Sequence, residues 1–257
     1  MDKSCLRITD QRALEMDALF MIGERIIEVA VLPSTNDYMK EMWHKLSHGT
    51  VVVAATQTKG RGRFGRVWYS PEGGLWFSVL FKPRKMLKPH FFTRACSVAV
   101  VRALKKFGIE SHLKWPNDVY CDGKKIAGIL TESVFEEDVL KAIIVGVGVN
   151  VNNDLPDHLV EKSVTMRELT GRKIGTRAVL RCTLSELRKL YVRYKHKPEA
   201  LTRIWKALLI QKEGSNIEFV AGDSILRGTL LKIKEDYLLV RTSHGNLEVR
   251  STEILSS

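Results

Sequence analysis

Helical and strand periodicities alternate along most of the chain. Ala13, Leu14, Asp17, Ala18 and Met21 give residues 10–24 the spacing of a short amphipathic helix. Ile26 to Leu32 is rich in β-branched residues and reads as a strand. Ser34-Thr35-Asn36-Asp37 supplies helix-start chemistry, and Tyr38, Met39, Met42, Trp43 and Leu46 continue a stripe that predicts a helix to about His48. Val51 to Ala55 and Leu75 to Phe81 are short apolar strands, the second entered by Gly73-Gly74. Phe91 to Phe107 reads as a long helix ended by Gly108, and Lys114-Trp115-Pro116 as a strand end turning at proline. Cys121-Asp122-Gly123-Lys124 is a hairpin turn. Ile126 to Val134 and Ala142 to Val151 are long strands punctured by Gly128, Gly146 and Gly148, and 176–211 is helical with a break near Pro198.

The pattern changes near Gly214. Asn216–Val220, Ile225–Ile233, Tyr237–Arg241 and Leu247–Arg250 are short β runs separated by turn residues, a spacing that suggests a small barrel or roll. The expected organisation is a larger helix-and-strand domain over 1–212 and a small β domain over 213–257. The residues ahead of the first strand are too few for a winged DNA-binding domain of roughly 60 residues.

Composition narrows the function classes. With 257 residues, 44% apolar and 27% charged, the chain is neither wholly disordered nor collagen-like. No stretch reaches the ~20 apolar residues of a spanning helix, and the amino terminus lacks a signal's apolar block, so a cytoplasmic protein without membrane partners is expected. Cys5, Cys96, Cys121 and Cys182 lie far apart, which suggests neither a disulfide framework nor a zinc site. His44 and His48 are four apart but lack a zinc-protease glutamate, so a solvated helix face is expected there. Lys and Arg outnumber Asp and Glu by 41 to 29, and the net charge of +12 favours anionic partners.

Three segments carry candidate chemistry. Gly60-Arg61-Gly62-Arg63-Phe64-Gly65-Arg66 follows Gln57 and precedes Trp68. Its glycines free the backbone to wrap a ligand, and its guanidiniums call for an anion such as a phosphoanhydride. A nucleic-acid-binding segment or a solvated loop accounts for the same residues. Lys114-Trp115-Pro116-Asn117-Asp118 and Lys125-Ile126-Ala127-Gly128 set two lysines against a carboxylate and an amide. Lysine beside phosphate stabilises charge that develops during phosphoryl or adenylyl transfer. An ordinary surface hairpin with ion pairs is the alternative. Gly146-Val147-Gly148-Val149-Asn150 leaves one strand face bare, either for a flat ligand or for close helix packing.

Together these blocks, with Ser34-Thr35-Asn36 and Ile129-Leu130, resemble the biotin protein ligases in residues, order and spacing. The resemblance runs from about residue 26 to the end. It implies an α+β fold: a mixed β-sheet catalytic domain of the biotin/lipoate ligase type packed with helices, followed by a small SH3-like β-barrel. It implies an ATP-dependent ligase, biotin–[biotin carboxyl carrier protein] ligase, that makes biotinyl-5′-AMP and passes biotin to a carrier lysine. Biotin and ATP would be substrates, with Mg2+. The acceptor would be a biotin carboxyl carrier protein or domain, with no DNA expected for a monofunctional member. Related enzymes often pair through a sheet edge, which leaves a homodimer open.

By the family's pattern Ser34, Thr35, Asn36 and Gln57 would hold biotin's ureido end, with Gly60, Arg61, Gly62 and Gly128 around it. Arg63, Lys125 and Lys114 would be catalytic, the first two meeting both biotin and the adenylate. Arg66, Trp68, Asn117, Asp118 and Asn150 would hold the nucleotide, and Asp118 would approach the metal through water or the ATP phosphates. Residues 59–66 would close over the adenylate. A lipoate–protein ligase uses the same adenylation logic and is the nearest rival. A non-enzymatic nucleic-acid-binding module is the rival from another class.

Overall fold

The computed structural model describes residues 22–83, 87–222, 224–250 and 254–256. The helix expected over 10–24 lies almost wholly outside the described residues, of which 22–24 form a turn. The larger body is a seven-stranded mixed sheet. Its strands are β1 (Ile26–Leu32), β2 (Val51–Gln57), β3 (Leu75–Phe81), β4 (His112–Lys114), β5 (Asp118–Cys121), β6 (Lys124–Glu136) and β7 (Val139–Val149). They lie in the order β1-β2-β3-β7-β6-β5-β4. Only the β1–β2 pair is parallel. Its crossover is α1 (Thr35–Met42), capped by the Ser34 hydroxyl, which accepts from the Asp37 amide.

Alternation along the central strands decides where the site forms. Phe77, Val79 and Phe81 of β3, with Val145, Val147 and Val149 of β7, point into the main core. That core is closed by α2 (Pro89–Lys105), α5 (Thr176–Tyr194) and α6 (Pro198–Leu208). The intervening residues face α1. Leu80 and Ile144 bury against Met39 and Leu46 there. Two and four residues along the same face the side chains shrink to Ser78, Gly146 and Gly148. A small core thus gives way to an open floor.

The β6–β7 hairpin turns at Glu137 and Asp138, both in the left-handed region, at the far end from that floor. A five-stranded antiparallel sheet follows in the order β11-β10-β9-β8-β12: β8 (Asn216–Ala221), β9 (Ser224–Ile233), β10 (Tyr237–Thr242), β11 (Gly245–Arg250) and β12 (Ile254–Ser256). It is tied to the larger body through the Arg94 guanidinium, which donates to the Glu235 carbonyl, and the Lys206 ammonium, which donates to the Ile233 carbonyl. Among the described residues no helix is long and apolar enough to cross a membrane.

The helix expected to reach His48 stops at Met42 and tightens into a single turn over Trp43–Lys45. His48 is therefore not on a solvated helix face. Its ring packs against Phe81 and Tyr191, with centroids 5.7 Å away in each case, and its Nδ1 accepts from the Lys82 amide at 3.0 Å. Two short helices, α3 (Asp157–Val160) and α4 (Met166–Thr170), occupy a stretch without a clear period.

Candidate active site

A cavity of ≈ 310 Å³ opens over the Gly146–Gly148 floor at one end of the large sheet. Every expected site residue lines it except Gly60. Gly60 lies beneath the loop, where a Cβ would come within 2.4 Å of the Trp68 carbonyl and 2.6 Å of the Ser70 hydroxyl. Its role is close approach inside the loop, since Trp68 N donates to its carbonyl at 2.9 Å.

One end of the cavity is neutral and polar. Gln57 Oε1 accepts from the Thr35 amide at 2.8 Å and from its hydroxyl at 3.1 Å, while Gln57 Nε2 donates to Ser70 at 2.9 Å. Ser78 donates to both Thr35 Oγ1 (2.7 Å) and Asn36 Oδ1 (2.6 Å). Asn36 is buried and also donates to Glu132 at 2.7 Å and to the Leu130 carbonyl at 3.3 Å. Its bonds stitch the start of α1 to β3 and β6 across Gly146, so it reads as a buttress for its neighbours. Ser70, Ser78 and Glu132 were not legible as site residues, because each is a lone polar residue inside a strand or loop.

The arginine–glycine loop is folded over this end. Arg61 is ion-paired with Asp37 and lies 3.6 Å from Glu132. Gly62 N donates to the Arg66 carbonyl at 2.7 Å, closing a tight loop with Phe64 and Gly65 at positive φ. Phe64 and Val67 line the cavity mouth and remain 67% and 85% accessible.

The middle is cationic. Arg63, Arg66, Lys114, Lys125 and Lys162 line the cavity against the single carboxylate of Asp118. Lys125 Nζ sits 2.7 Å from Asp118 and 5.0 Å from the Trp68 ring centroid. Lys114 Nζ lies 4.9 Å from the Tyr120 ring. Arg63 Nη1 makes one long bond to Asn117 at 3.4 Å, and its Nη2 is buried without a partner. Burial lowers the Arg63 pKa, against the raising influence of Asp118. A desolvated guanidinium with a free donor is a receptor for an anion.

Trp68 lies flat on the bare floor. A Cβ at Gly148 would meet its Nε1 at 2.4 Å, and one at Gly128 its ring at 3.2 Å. Its edge packs on Trp76 at 6.4 Å, and its Nε1 is buried and unpartnered. Gly146 receives Asn36 of the packed helix, 2.5 Å from a Cβ there, as the packing reading expects, whereas Gly148 receives the chain's own Trp68 ring. The far end is closed by Asn150 and by Leu155, Leu159 and Ser163, from the segment without clear period. Ile254 of the small sheet also reaches the cavity.

Residues 28–150 match the model of the biotin/lipoate A/B protein ligase family. The bifunctional ligase/repressor BirA of Bacillus subtilis is 35% identical over 243 residues, covering 91% of this chain and 74% of that protein. Biotin--protein ligase 2 of Arabidopsis thaliana is 36% identical over 141 residues, 52% of this chain and 43% of that one. A solved biotin protein ligase from Aquifex aeolicus, in complex with biotin and ATP, superposes with a TM-score of 0.78 at 31% identity, covering 91% of this chain and all of that one. The chain belongs to the biotin protein ligase family.

Proposed function

We propose that the cavity activates biotin with ATP and then hands the biotinyl group to a lysine of a carrier domain. The observation that carries this reading is the convergence, in one cavity, of a neutral hydrogen-bonding end, a cationic middle and an aromatic ring on a glycine floor. Related proteins have been solved with biotin and ATP together and with biotinyl-5-AMP. Ser34, Thr35 and Gln57 suit a neutral urea, because uncharged donors and acceptors cost least to bury with it. Trp68 offers its ring to the bound ligands, with Asn150 on the nucleotide side.

The first step joins two anions, biotin's carboxylate and the α-phosphate of ATP. Arg63 and Lys125, assisted by Lys114, offset that repulsion and the charge that grows at phosphorus. The carboxylate oxygen forms the new P–O bond and pyrophosphate leaves with the old one. No side chain acts as a covalent nucleophile. Asp118, paired with Lys125 at 2.7 Å, would approach the metal through water or the ATP phosphates. These residues fit a magnesium ion that arrives on the ATP as part of the substrate.

Residues 59–66 act as the lid, with Arg61 as its latch on α1 and Arg66 held toward the nucleotide, and closure shields the anhydride from water. Residues 1–212 form the catalytic domain and 213–257 the small β domain. Incubation with labelled biotin, Mg·ATP and a biotin carboxyl carrier domain is expected to label the carrier, with biotin-dependent exchange of pyrophosphate into ATP. Exchange that needs no biotin, or that runs with lipoate alone, would overturn the reading.

A further inference from the structure

In the biotin-transfer reading above, an adenylate fills the first cavity beneath the lid, and the acceptor amine needs its own path to the acyl carbon. A second cavity of ≈ 250 Å³ abuts the first. The two share Arg63, Trp115, Pro116, Asn117, Ile129 and Leu130. The rest of the second cavity is built by α2, α6, Thr131 of β6 and the turn between β9 and β10, which supplies Glu235 and Asp236.

Its chemistry matches a lysine side chain. Trp115, Pro116, Ile129, Leu130 and Trp205 give apolar walls for a methylene stem. Glu235 and Asp236 are more than half exposed and stand at the outer end. Glu235 pairs with Lys88 Nζ at 3.0 Å and Asp236 with Arg250 at 2.5 Å, so these carboxylates suit an ammonium that enters by exchange with the cations they hold. At the inner end Asn117 and Arg63 form the wall toward the reaction centre, and Asn117 is fixed by a 2.6 Å bond to the Ile129 carbonyl.

We infer that the second cavity admits the acceptor lysine, which enters at Glu235 and Asp236 and reaches the acyl carbon past Asn117. Arg94, itself buried, and Arg63 already place two guanidiniums along the cavity. A third cation beside Arg94 and Arg63 is disfavoured there, so the entering ammonium gives one proton to water at the rim. The neutral amine nitrogen then bonds to the acyl carbon. The carbon–oxygen bond to phosphate breaks, AMP leaves with that electron pair, and the amide nitrogen loses its second proton to water.

Thr93→Phe, on the α2 wall of the second cavity only, tests this together with Glu235→Lys at the rim. Both half-reactions are followed in the full chain: biotin-dependent pyrophosphate exchange, and transfer from preformed adenylate either to a carrier domain or to hydroxylamine, a nucleophile small enough to need no channel. We expect Thr93→Phe to leave exchange and hydroxylamine cleavage within twofold while slowing carrier transfer at least tenfold. Glu235→Lys should raise the carrier KM severalfold with exchange unchanged. Wild-type carrier kinetics in both variants would overturn the inference. If Thr93→Phe does not fold, an unchanged carrier KM in Glu235→Lys and Asp236→Lys would overturn it. Absence of biotin-dependent exchange in the unmodified protein would instead refute the transfer reading on which it rests.

Discussion

Gly148→Ala gives the sharpest test of how the cavity is built. The new Cβ would lie 2.4 Å from Trp68 Nε1 and 2.7 Å from Cε2. Ordinary carbon contacts lie at about 3.5 Å, so the indole must retreat by about 1 Å. It cannot sink, because Trp76 packs at its edge and its own backbone is tied to Gly60. It must therefore move up into the cavity, toward Lys125. A displacement of about 1 Å among aligned reactants costs on the order of 10²-fold in rate, whereas overpacking costs about 1–3 kcal/mol of stability. Biotin-dependent pyrophosphate exchange should fall by about two decades while the protein stays folded by circular dichroism. In a Trp68→Phe background, where Nε1 is gone, the same substitution should cost less than about threefold. Exchange within twofold of wild type, or an equal loss in both backgrounds, would refute the claim that Gly148 exists to seat the indole.

Arg63→Ala should lower exchange by about 10²–10³-fold with almost no loss of melting temperature, since the guanidinium is desolvated and makes one long hydrogen bond; a large drop in melting temperature would recast it as structural. Glu132→Ala removes the carboxylate that accepts from Asn36 and pairs with Lys40 and Arg61; the biotin KM should rise about tenfold with kcat nearly kept, and a change confined to kcat would contradict a positioning role. His90 has its pKa lowered from 6.5 to about 4, first by burial and then by Arg94. The unfolded chain binds that proton near pH 6.5 and the folded one only near 4, so stability should decline as pH falls between those values. His90→Asn should flatten that segment of a denaturation-midpoint profile, and an unchanged slope would rule His90 out as its source.

The sheet was readable because its strands are short runs of apolar and β-branched residues bounded by turn residues, as in β1, β2 and β3. The two long strands came out as the β6–β7 pair, extended by a few residues at their hairpin ends. The cationic middle was legible because clustered arginines and lysines need an anion wherever they fold. What escaped was whatever depends on contacts distant in sequence. The stripe through Trp43 and Leu46 promised more helix than forms, since Leu46 instead joins the small core from an extended chain. Glu132 gains its meaning from Asn36, 96 positions away. Leu155, Leu159 and Ser163 lie in a segment with no period, and nothing local ties Ile254 to the cavity it lines.

The hairpin at Glu137 and Asp138 has a practical consequence. It stands nine residues of strand beyond Gly148, about 30 Å at 3.3 Å per residue, and the cavities come no closer to it along these two strands than Thr131 and Gly146. A fluorophore or a surface tether grafted at that tip would leave the chemistry and the docking side of the molecule clear, so immobilised enzyme could be reloaded with successive carriers.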